Sequence, residues 1–200
     1  MYHGIGAVVS AVIEWVKRLV LAALFAFAQE TDPPIPLPFT GGGAESAVRD
    51  ALAKVEGVGH VAVKSSSAQV AMKCGVALSL EEAGKALAGV SCKPDEAIAA
   101  SWASYFATKE PPTAEALKKA LSGLKGFKSA RPEGSGFRAV FDGAEQATIA
   151  DVRKATGATN VFLAPAKDGA RYICLTHPEI AHLAEVRCPR CGVTLSKELA

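Results

Sequence analysis

Three cysteines and one histidine near the C-terminus have the types and spacing of metal ligands. Cys174 and His177 are separated by two residues, Cys188 and Cys191 are also separated by two, and ten residues lie between the pairs. Two short chelating pairs joined by a loop are typical of tetrahedral zinc sites, because each pair spans one edge of the tetrahedron. The pattern therefore predicts one metal site with these four ligands, which suit zinc and also tolerate copper as Cu(I).

The length of this C-terminal segment supports a metal site. A segment of about 30 residues buries too little apolar surface to fold alone, and a structural zinc ion contributes on the order of 10 kcal/mol. Pro189 and Gly192 indicate a tight turn whose amide groups hydrogen-bond the sulfur atoms. His182 could replace a ligand, although an exposed role is more usual for such a histidine. Redox chemistry at the Cys-x-x-Cys motif is the less favoured alternative, because thioredoxin-like motifs lie between a strand and a helix of a βαβ unit.

The same segment resembles the short heavy-metal-binding domain of copper-efflux adaptor proteins and copper-transporting ATPases. That family has the pattern Tyr-x-Cys-Pro-Met-His-Pro-Glu, a loop, and then Cys-Pro-x-Cys-Gly-Met-x-Leu. The positions that match are Tyr172, Cys174, His177, Pro178, Glu179, Cys188, Pro189, Cys191, Gly192 and Leu195. The resemblance implies a heavy-metal ligand and a membrane metal transporter or efflux component as partner.

Three departures from that family pattern bear on the choice of metal. Leu175 replaces a proline, and Thr176 and Val193 replace the two methionines. Thioethers are soft ligands that favour Cu(I), so their replacement favours zinc over copper.

The N-terminal residues 1–28 are expected to be an export signal. Residues 19–28 form an apolar run of ten residues that follows Lys17 and Arg18 and ends in Ala26-Phe27-Ala28. A basic pair, a short apolar run and a small-x-small end are the features of a secretory signal, and a membrane-spanning helix needs about 20 apolar residues. We expect the mature chain to begin near Gln29, in an exported (periplasmic or extracellular) compartment. An uncleaved membrane anchor, assisted by the apolar residues 5–13, is the alternative.

The middle of the chain contains an internal repeat. A shift of 69 residues superimposes the apolar positions without a gap. The first set is Val48, Ala51, Leu52, Val55, Gly57, Val58, Leu80, Lys85 and Ala86, and it falls on Leu117, Ala120, Leu121, Leu124, Gly126, Phe127, Ile149, Lys154 and Ala155. The first four residues of each set have the spacing i, i+3, i+4, i+7, which predicts an amphipathic helix. The glycine that follows them, Gly57 or Gly126, predicts the end of that helix.

These elements predict an α+β fold of two tandem ferredoxin-like βαββαβ repeats followed by a small Cys3His zinc-knuckle-like domain. The expected strands and helices are residues 60–64, 69–72, 80–90, 104–107, 137–141, 149–155 and 160–164. Residues 29–43 are expected to be a Pro/Gly-rich linker in which Ile35, Leu37 and Phe39 could form a short edge strand. The expected domains are residues 44–98 and 102–166 for the repeats and residues 170–200 for the metal-binding segment.

The first repeat also resembles the heavy-metal-associated domain of copper and mercury chaperones, through residues 51–63 and 78–87. That family carries a Cys-x-x-Cys pair in the loop before its first helix. The matching loops here, residues 41–44 and 110–113, contain no cysteine. The resemblance therefore implies the fold without the family's metal site.

The remaining features exclude several functions. The 22 basic and 20 acidic residues give a net charge of +2 and form no basic stripe, so no nucleic acid partner is expected. No catalytic motif is present, and a site closed by four protein ligands offers no position for substrate, so we do not expect an enzyme. Cys74 and Cys92 are expected to be buried apolar groups or to form a disulfide.

The sequence therefore predicts an exported metal-binding protein that acts in heavy-metal homeostasis by buffering or delivering zinc or copper. The alternative is a protein-interaction module whose metal is only structural.

Overall fold

The structure, a computed structural model, describes residues 34–73, 76–164, 172–178, 180–182, 187–188 and 190–197. The expected export signal, the start of the mature chain and Cys74 lie outside these residues. Among the described residues, none of the helices has the length and apolar character needed to cross a lipid bilayer.

The first half of the described chain, here called the first unit, forms a four-stranded antiparallel sheet with two helices. The strand order is β2-β3-β1-β5. The elements are β1 (Ile35–Gly41), α1 (Glu45–Leu52), β2 (Val58–Lys64), β3 (Ser67–Met72), β4 (Leu78–Ser79), α2 (Leu80–Ala88) and β5 (Cys92–Pro94).

The second unit forms a five-stranded sheet in the order β4-β9-β6-β8-β7. Its own elements follow a short 3-10 turn and are β6 (Ala103–Ala107), α3 (Ala114–Leu121), β7 (Phe127–Glu133), β8 (Gly136–Phe141), α4 (Ile149–Thr156) and β9 (Asn160–Leu163). In both units the order of strands along the chain and across the sheet is compatible with a ferredoxin-like fold. The predicted α+β class is confirmed.

Four elements of the first unit start at a constant interval from four elements of the second. Four starting residues of the first unit precede their counterparts by 69 positions: Glu45 and Ala114, Val58 and Phe127, Ser67 and Gly136, and Leu80 and Ile149. Both sheets also carry a register shift at the same place, between Val58 and His60 in β2 and between Phe127 and Ser129 in β7. The predicted segments overlap the observed β2, β3, α2, β6, β8, α4 and β9, whereas β4, β5 and β7 were not predicted from the sequence.

Local sequence explains where the helices begin and end. The side chains of Ser79 and Thr148, again 69 positions apart, accept hydrogen bonds from the amides of Glu82 and Asp151. Such side chains satisfy amide groups that have no partner within the helix. Gly157 ends α4 in the left-handed conformation, at a φ of 70°, which glycine adopts without steric strain.

Strand β1 lies between two neighbours, whereas the sequence predicted a short edge strand. Its prolines explain how this is possible. The amide of Phe39 donates to the carbonyl of Ser66 at 2.9 Å, so this residue faces β3, while the carbonyl of Pro38 accepts from the amide of Asp95 on the other side. Pro36 and Pro38 therefore direct their nitrogen atoms away from β3, and β5 pairs only with Phe39–Gly41. The prolines therefore do not interrupt the ladder between β1 and β3.

The two units share one apolar core. Buried side chains of both units, including Leu52, Leu87, Leu121 and Leu163, belong to a single cluster. Strand β4 continues this connection, because it comes from the first unit and pairs with β9 of the second. The two units are therefore packed together through a shared core and a shared sheet.

A third sheet is formed near the C-terminus. It contains β10 (Tyr172–Ile173), β11 (Ala181–His182) and β12 (Ser196–Lys197) in the order β11-β10-β12. We call the described residues of this segment (172–178, 180–182, 187–188 and 190–197) the knuckle. It carries the four predicted metal ligands.

Candidate metal centre

The first pair of ligands lies in the turn that follows strand β10. The amide of Cys174 donates to the carbonyl of Ile180 at 3.1 Å, and the amide of Ile180 donates to the carbonyl of His177 at 2.9 Å. Inside the turn, the amide of His177 donates to Sγ of Cys174 at 3.3 Å. These bonds direct the thiol and the imidazole toward the same point.

The second pair lies in another tight turn. The amide of Gly192 donates to the carbonyl of Cys188 at 2.8 Å, and the amide of Cys188 donates to the carbonyl of Val193 at 2.8 Å. Gly192 has a φ of 72°, which a residue with a side chain rarely adopts. The glycine predicted to form this turn is therefore required by the backbone, and it places Cys191 beside Cys188.

The four side chains converge. The potential ligand atoms of Cys174, His177, Cys188 and Cys191 all lie within 4.8 Å of one another. Sγ of Cys174 lies 3.6 Å from Sγ of Cys191 and 3.7 Å from Nδ1 of His177, and Sγ of Cys188 lies 3.7 Å from the same nitrogen. The two pairs that the sequence singled out are thus brought together as one group.

These distances fit a tetrahedral zinc ion. Zinc binds thiolate sulfur at about 2.3 Å and imidazole nitrogen at about 2.0–2.1 Å, so the tetrahedron edges are about 3.8 Å between two sulfurs and about 3.6 Å between sulfur and nitrogen. Three of the six observed separations are 3.6 Å, 3.7 Å and 3.7 Å, and all six are within 4.8 Å. A disulfide requires about 2.05 Å between sulfur atoms, and all three cysteines are free thiols. The arrangement matches a ligand set better than a redox pair.

The ligands differ in their exposure to solvent. Cys174 and Cys188 are 1% and 2% exposed and pack with Ile180 and Leu195 in the small core of the knuckle. His177 is half-buried and Cys191 is exposed. The centre is therefore enclosed on one side and open to solvent at Cys191.

Backbone amides affect the pKa of two of the thiols. Burial raises the pKa of the Cys174 thiol, and amides three and two residues further along the chain partly oppose this effect. At Cys188 burial also raises the pKa, but hydrogen bonds from the amides three and two residues further along and from the thiols of Cys174 and Cys191 together outweigh burial and lower the pKa to about 7. Amides pointing at sulfur stabilise thiolates, which are the forms that bind metal. The sequence predicted such donors at the second turn.

The other residues considered as ligands lie elsewhere. Cys92 is a buried free thiol in the first unit, and His60 is exposed on β2. Met72 is fully buried in the apolar core. The backbone of His182 belongs to β11, but its side chain is outside what the structure describes. None of these described side chains is among those that converge on the metal centre.

The two loops without cysteine each precede the first helix of a unit. Residues 42–44 connect β1 to α1, and residues 108–113 connect β6 to α3. Cys92 lies beneath the first of these loops, since a Cβ placed on Gly43 would be 2.8 Å from its sulfur atom. A single buried thiol does not form a metal site.

One buried cation beside the centre was not singled out from the sequence. Arg138 of β8 is only 3% exposed, and its Nη2 donates to the carbonyl of Pro178, which directly follows His177. The only signal in the sequence was a cation within the apolar segment 136–141, at the position that Gln69 occupies in the first unit.

No family model matches the chain, and no curated protein or solved structure is significantly similar to it. The functional assignment therefore depends on the residues and their geometry.

Proposed function

We propose that this protein binds one divalent metal ion at Cys174, His177, Cys188 and Cys191 and acts in heavy-metal homeostasis as a buffer or a carrier. One observation carries the proposal: two sequence-separated chelating pairs meet at distances that match the edges of a zinc tetrahedron. Zinc is preferred over copper because the positions beside the ligands hold Thr176 and Val193, which lack thioether sulfur. A membrane metal transporter or efflux component is the partner that the resemblance of this segment suggests.

The ligand set argues against catalysis at this centre. A catalytic zinc ion keeps one coordination position for water or substrate, whereas three thiolates and one imidazole complete the tetrahedron. The proposed role is therefore to hold or transfer the metal. It is not to act on a substrate.

We also propose that the two units are ferredoxin-like repeats that arose by duplication. The support is the constant 69-residue interval between matching helices, strands and capping residues, together with the equivalent register shifts in β2 and β7. Apolar helix faces and turn glycines that recur at one interval are the sequence signature of a repeat.

We further propose that the protein is exported, because residues 1–28 contain a basic pair followed by a short apolar run. Intact mass spectrometry of protein recovered from an exporting host tests this. A mature mass that begins near Gln29 is expected, and a mass that retains residues 19–28 would support the anchor.

The second candidate is a protein-interaction module in which the metal is only structural. The observation that favours it is the burial of Cys174 and Cys188, since these two ligands form part of the core of the knuckle. The exposed Cys191 favours metal transfer instead, because an incoming thiolate could replace this ligand first. Metal exchange separates the two functions: a carrier releases its ion to a modest competing chelator while folded, and a structural centre releases it only on unfolding.

Cobalt substitution tests metal binding directly. The full chain should bind one Co²⁺ with sulfur-to-metal charge-transfer bands and tetrahedral ligand-field bands. Cys188→Ser and Cys191→Ser should weaken binding and reduce the charge-transfer intensity. Cys92→Ser is the matched control, because this thiol is buried in the first unit away from the centre.

Two results would contradict the proposal. Cobalt affinity in the Cys188→Ser, Cys191→Ser double variant equal to that of the unsubstituted chain would show that the four residues are not the ligands. Uptake of Cu(I) by a chain that loses zinc to a weak chelator would retain the metal centre but refute the preference for zinc.

A further inference from the structure

The knuckle meets the five-stranded sheet at two places, and each lies one residue from a metal ligand. Ile173, which precedes Cys174, is buried in a small cluster with Ala77 and Ala164, against which Phe162 packs. The carbonyl of Pro178, which follows His177, accepts a hydrogen bond from Arg138. Both ends of the first ligand pair are thus attached to the sheet.

Arg138 is an unusual residue at this place because its charge is buried. Its Nε lies 2.6 Å from Oε2 of Glu133, its Nη1 donates to the carbonyl of Ser104, and its Nη2 donates to that of Pro178. The ring of Tyr105 lies 6.0 Å from the guanidinium carbon. A buried cation is tolerated when its donors are satisfied, and the planar guanidinium reaches three acceptors at once.

The contact uses the face of the sheet that the helices leave open. Phe106 and Phe137 stack at 4.9 Å and belong to the core that also contains Leu117 of α3. Neighbouring residues of a strand point to opposite faces, so Tyr105 and Arg138 lie on the other face. The knuckle therefore covers this second face at Arg138.

The first unit provides an internal comparison. Gln69 precedes Arg138 by 69 positions and has the equivalent place in its strand pairing, opposite Ala62 as Arg138 is opposite Arg131. Gln69 is exposed, whereas Arg138 is buried. The buried cation accompanies the sheet that carries the knuckle and has no counterpart at this position of the first sheet.

We propose that Arg138 is a positioning residue for the metal centre and couples it to the second unit. Arg138 fixes the carbonyl next to His177, so that Cys174 and His177 are held near their ligating arrangement before the metal arrives. Metal binding in turn stabilises strands β6 and β8, because coupling between two sites is reciprocal. This inference rests on the proposed metal centre and adds that the second unit controls the metal affinity of that centre.

The first test compares Arg138→Lys with Arg49→Lys in the full chain. Lysine keeps the charge beside Glu133, but a single ammonium group cannot reach all three acceptors. Cobalt affinity should fall about 10-fold to 100-fold in Arg138→Lys, as for other residues that orient ligands. Arg49→Lys should keep the affinity of the unsubstituted chain, because this exposed arginine lies on α1 of the first unit and the substitution makes the same chemical change.

The second test needs no substitution. Hydrogen exchange of the unsubstituted chain with and without zinc should show slower exchange in β6 and β8 when zinc is bound, and unchanged exchange in β2 and β3. In Arg138→Lys the zinc-dependent slowing in β6 and β8 should be lost while charge-transfer bands remain. A purely structural arginine would instead lower stability equally with and without metal.

The outcomes are separable. Unchanged cobalt affinity in Arg138→Lys, or zinc-dependent protection confined to the knuckle, would overturn the coupling while leaving the metal centre intact. If Arg138→Lys does not fold, the exchange pattern of the unsubstituted chain decides the question. Failure of the unsubstituted chain to bind cobalt would instead refute the proposed function itself.

Discussion

Chemically similar thiols in the metal centre have different surroundings. Cys174 and Cys188 are both buried, and burial is the largest single influence on each thiol. It raises the pKa of Cys174, whereas at Cys188 hydrogen bonds from backbone amides and neighbouring thiols together outweigh it and lower the pKa to about 7. At neutral pH one buried thiol is therefore protonated and the other is about half ionised. Zinc must displace the proton of Cys174, but it meets a partly formed thiolate at Cys188.

We predict that one thiol of the metal-free protein ionises near pH 7. The thiolate absorbance should rise as the pH passes through this value, and the step should disappear in Cys188→Ser and persist in Cys92→Ser. Since the folded state favours the thiolate, the contribution of Cys188 to stability is fully present above pH 9.0, the ordinary value, and is lost as pH falls through about 7. Ionisation of every thiol only near pH 9 would contradict this prediction.

The candidate site could be predicted from sequence because its information is local. Each ligand pair occupies one turn, and the types, spacing and turn glycine are visible in about 20 residues of the chain. Arg138 could not be found in this way, because its role depends on the carbonyl of Pro178, forty residues further along the chain. A main-chain acceptor leaves no side-chain signature.

Helices and strands were predicted where hydrophobic periodicity and turn residues agree. Helix α3 and strand β8 overlap the predicted segments, because Leu117 and Leu121 bury one helix face and Phe137 and Phe141 bury one strand face. Strand β7 was missed, since its burial pattern is irregular and it contains Pro132. Strand β4 has only two residues, too few for any periodic signal.

Gly126, in the turn before β7, allows a prediction about the free energy of unfolding. Gly126 and Gly157 both have positive φ, at 73° and 70°, so alanine is strained at either position. A Cβ at Gly126 would lie 2.4 Å from the backbone oxygen of Asp142, whereas one at Gly157 would have no atom within 4 Å. We expect Gly157→Ala to lower the free energy of unfolding by about 1 kcal/mol and Gly126→Ala by roughly 3 kcal/mol.

Chemical denaturation of the two variants measures this difference. Gly157→Ala serves as the control for backbone strain alone, so the excess in Gly126→Ala reports the clash. Equal losses of stability in the two variants would mean that the turn before β7 relaxes without cost.

For the molecule as a whole, the large apolar core does not include the metal ligands. The core cluster joins both units and contains residues from Ile35 to Leu163, while Cys174 and Cys188 belong to a separate small cluster. Buried apolar area is the main source of stability in such a fold. The two units should therefore remain folded when metal is removed.

Removal of metal by a chelator should leave the helical circular dichroism of the full chain almost unchanged. A fragment of residues 31–166 should likewise fold without metal, because Leu52, Val55, Leu121 and Leu124 pack within the shared core. Chelator addition to the fragment is the control, and it should change nothing. Loss of the fragment's dichroism on chelation would reveal a metal site outside the knuckle.

The two-residue strand β4 covers one outer edge of the second sheet. An uncovered outer strand offers unpaired amide and carbonyl groups to other chains and so promotes aggregation. Leu78 and Ser79 occupy that side of β9, and α2 begins at the next residue, so the ladder cannot be extended there. On the opposite border, β7 presents Pro132 and the exposed cations Lys128 and Arg131, which discourage pairing. The same chain segment that joins the two units thus also covers this border of the second sheet against intermolecular strand addition.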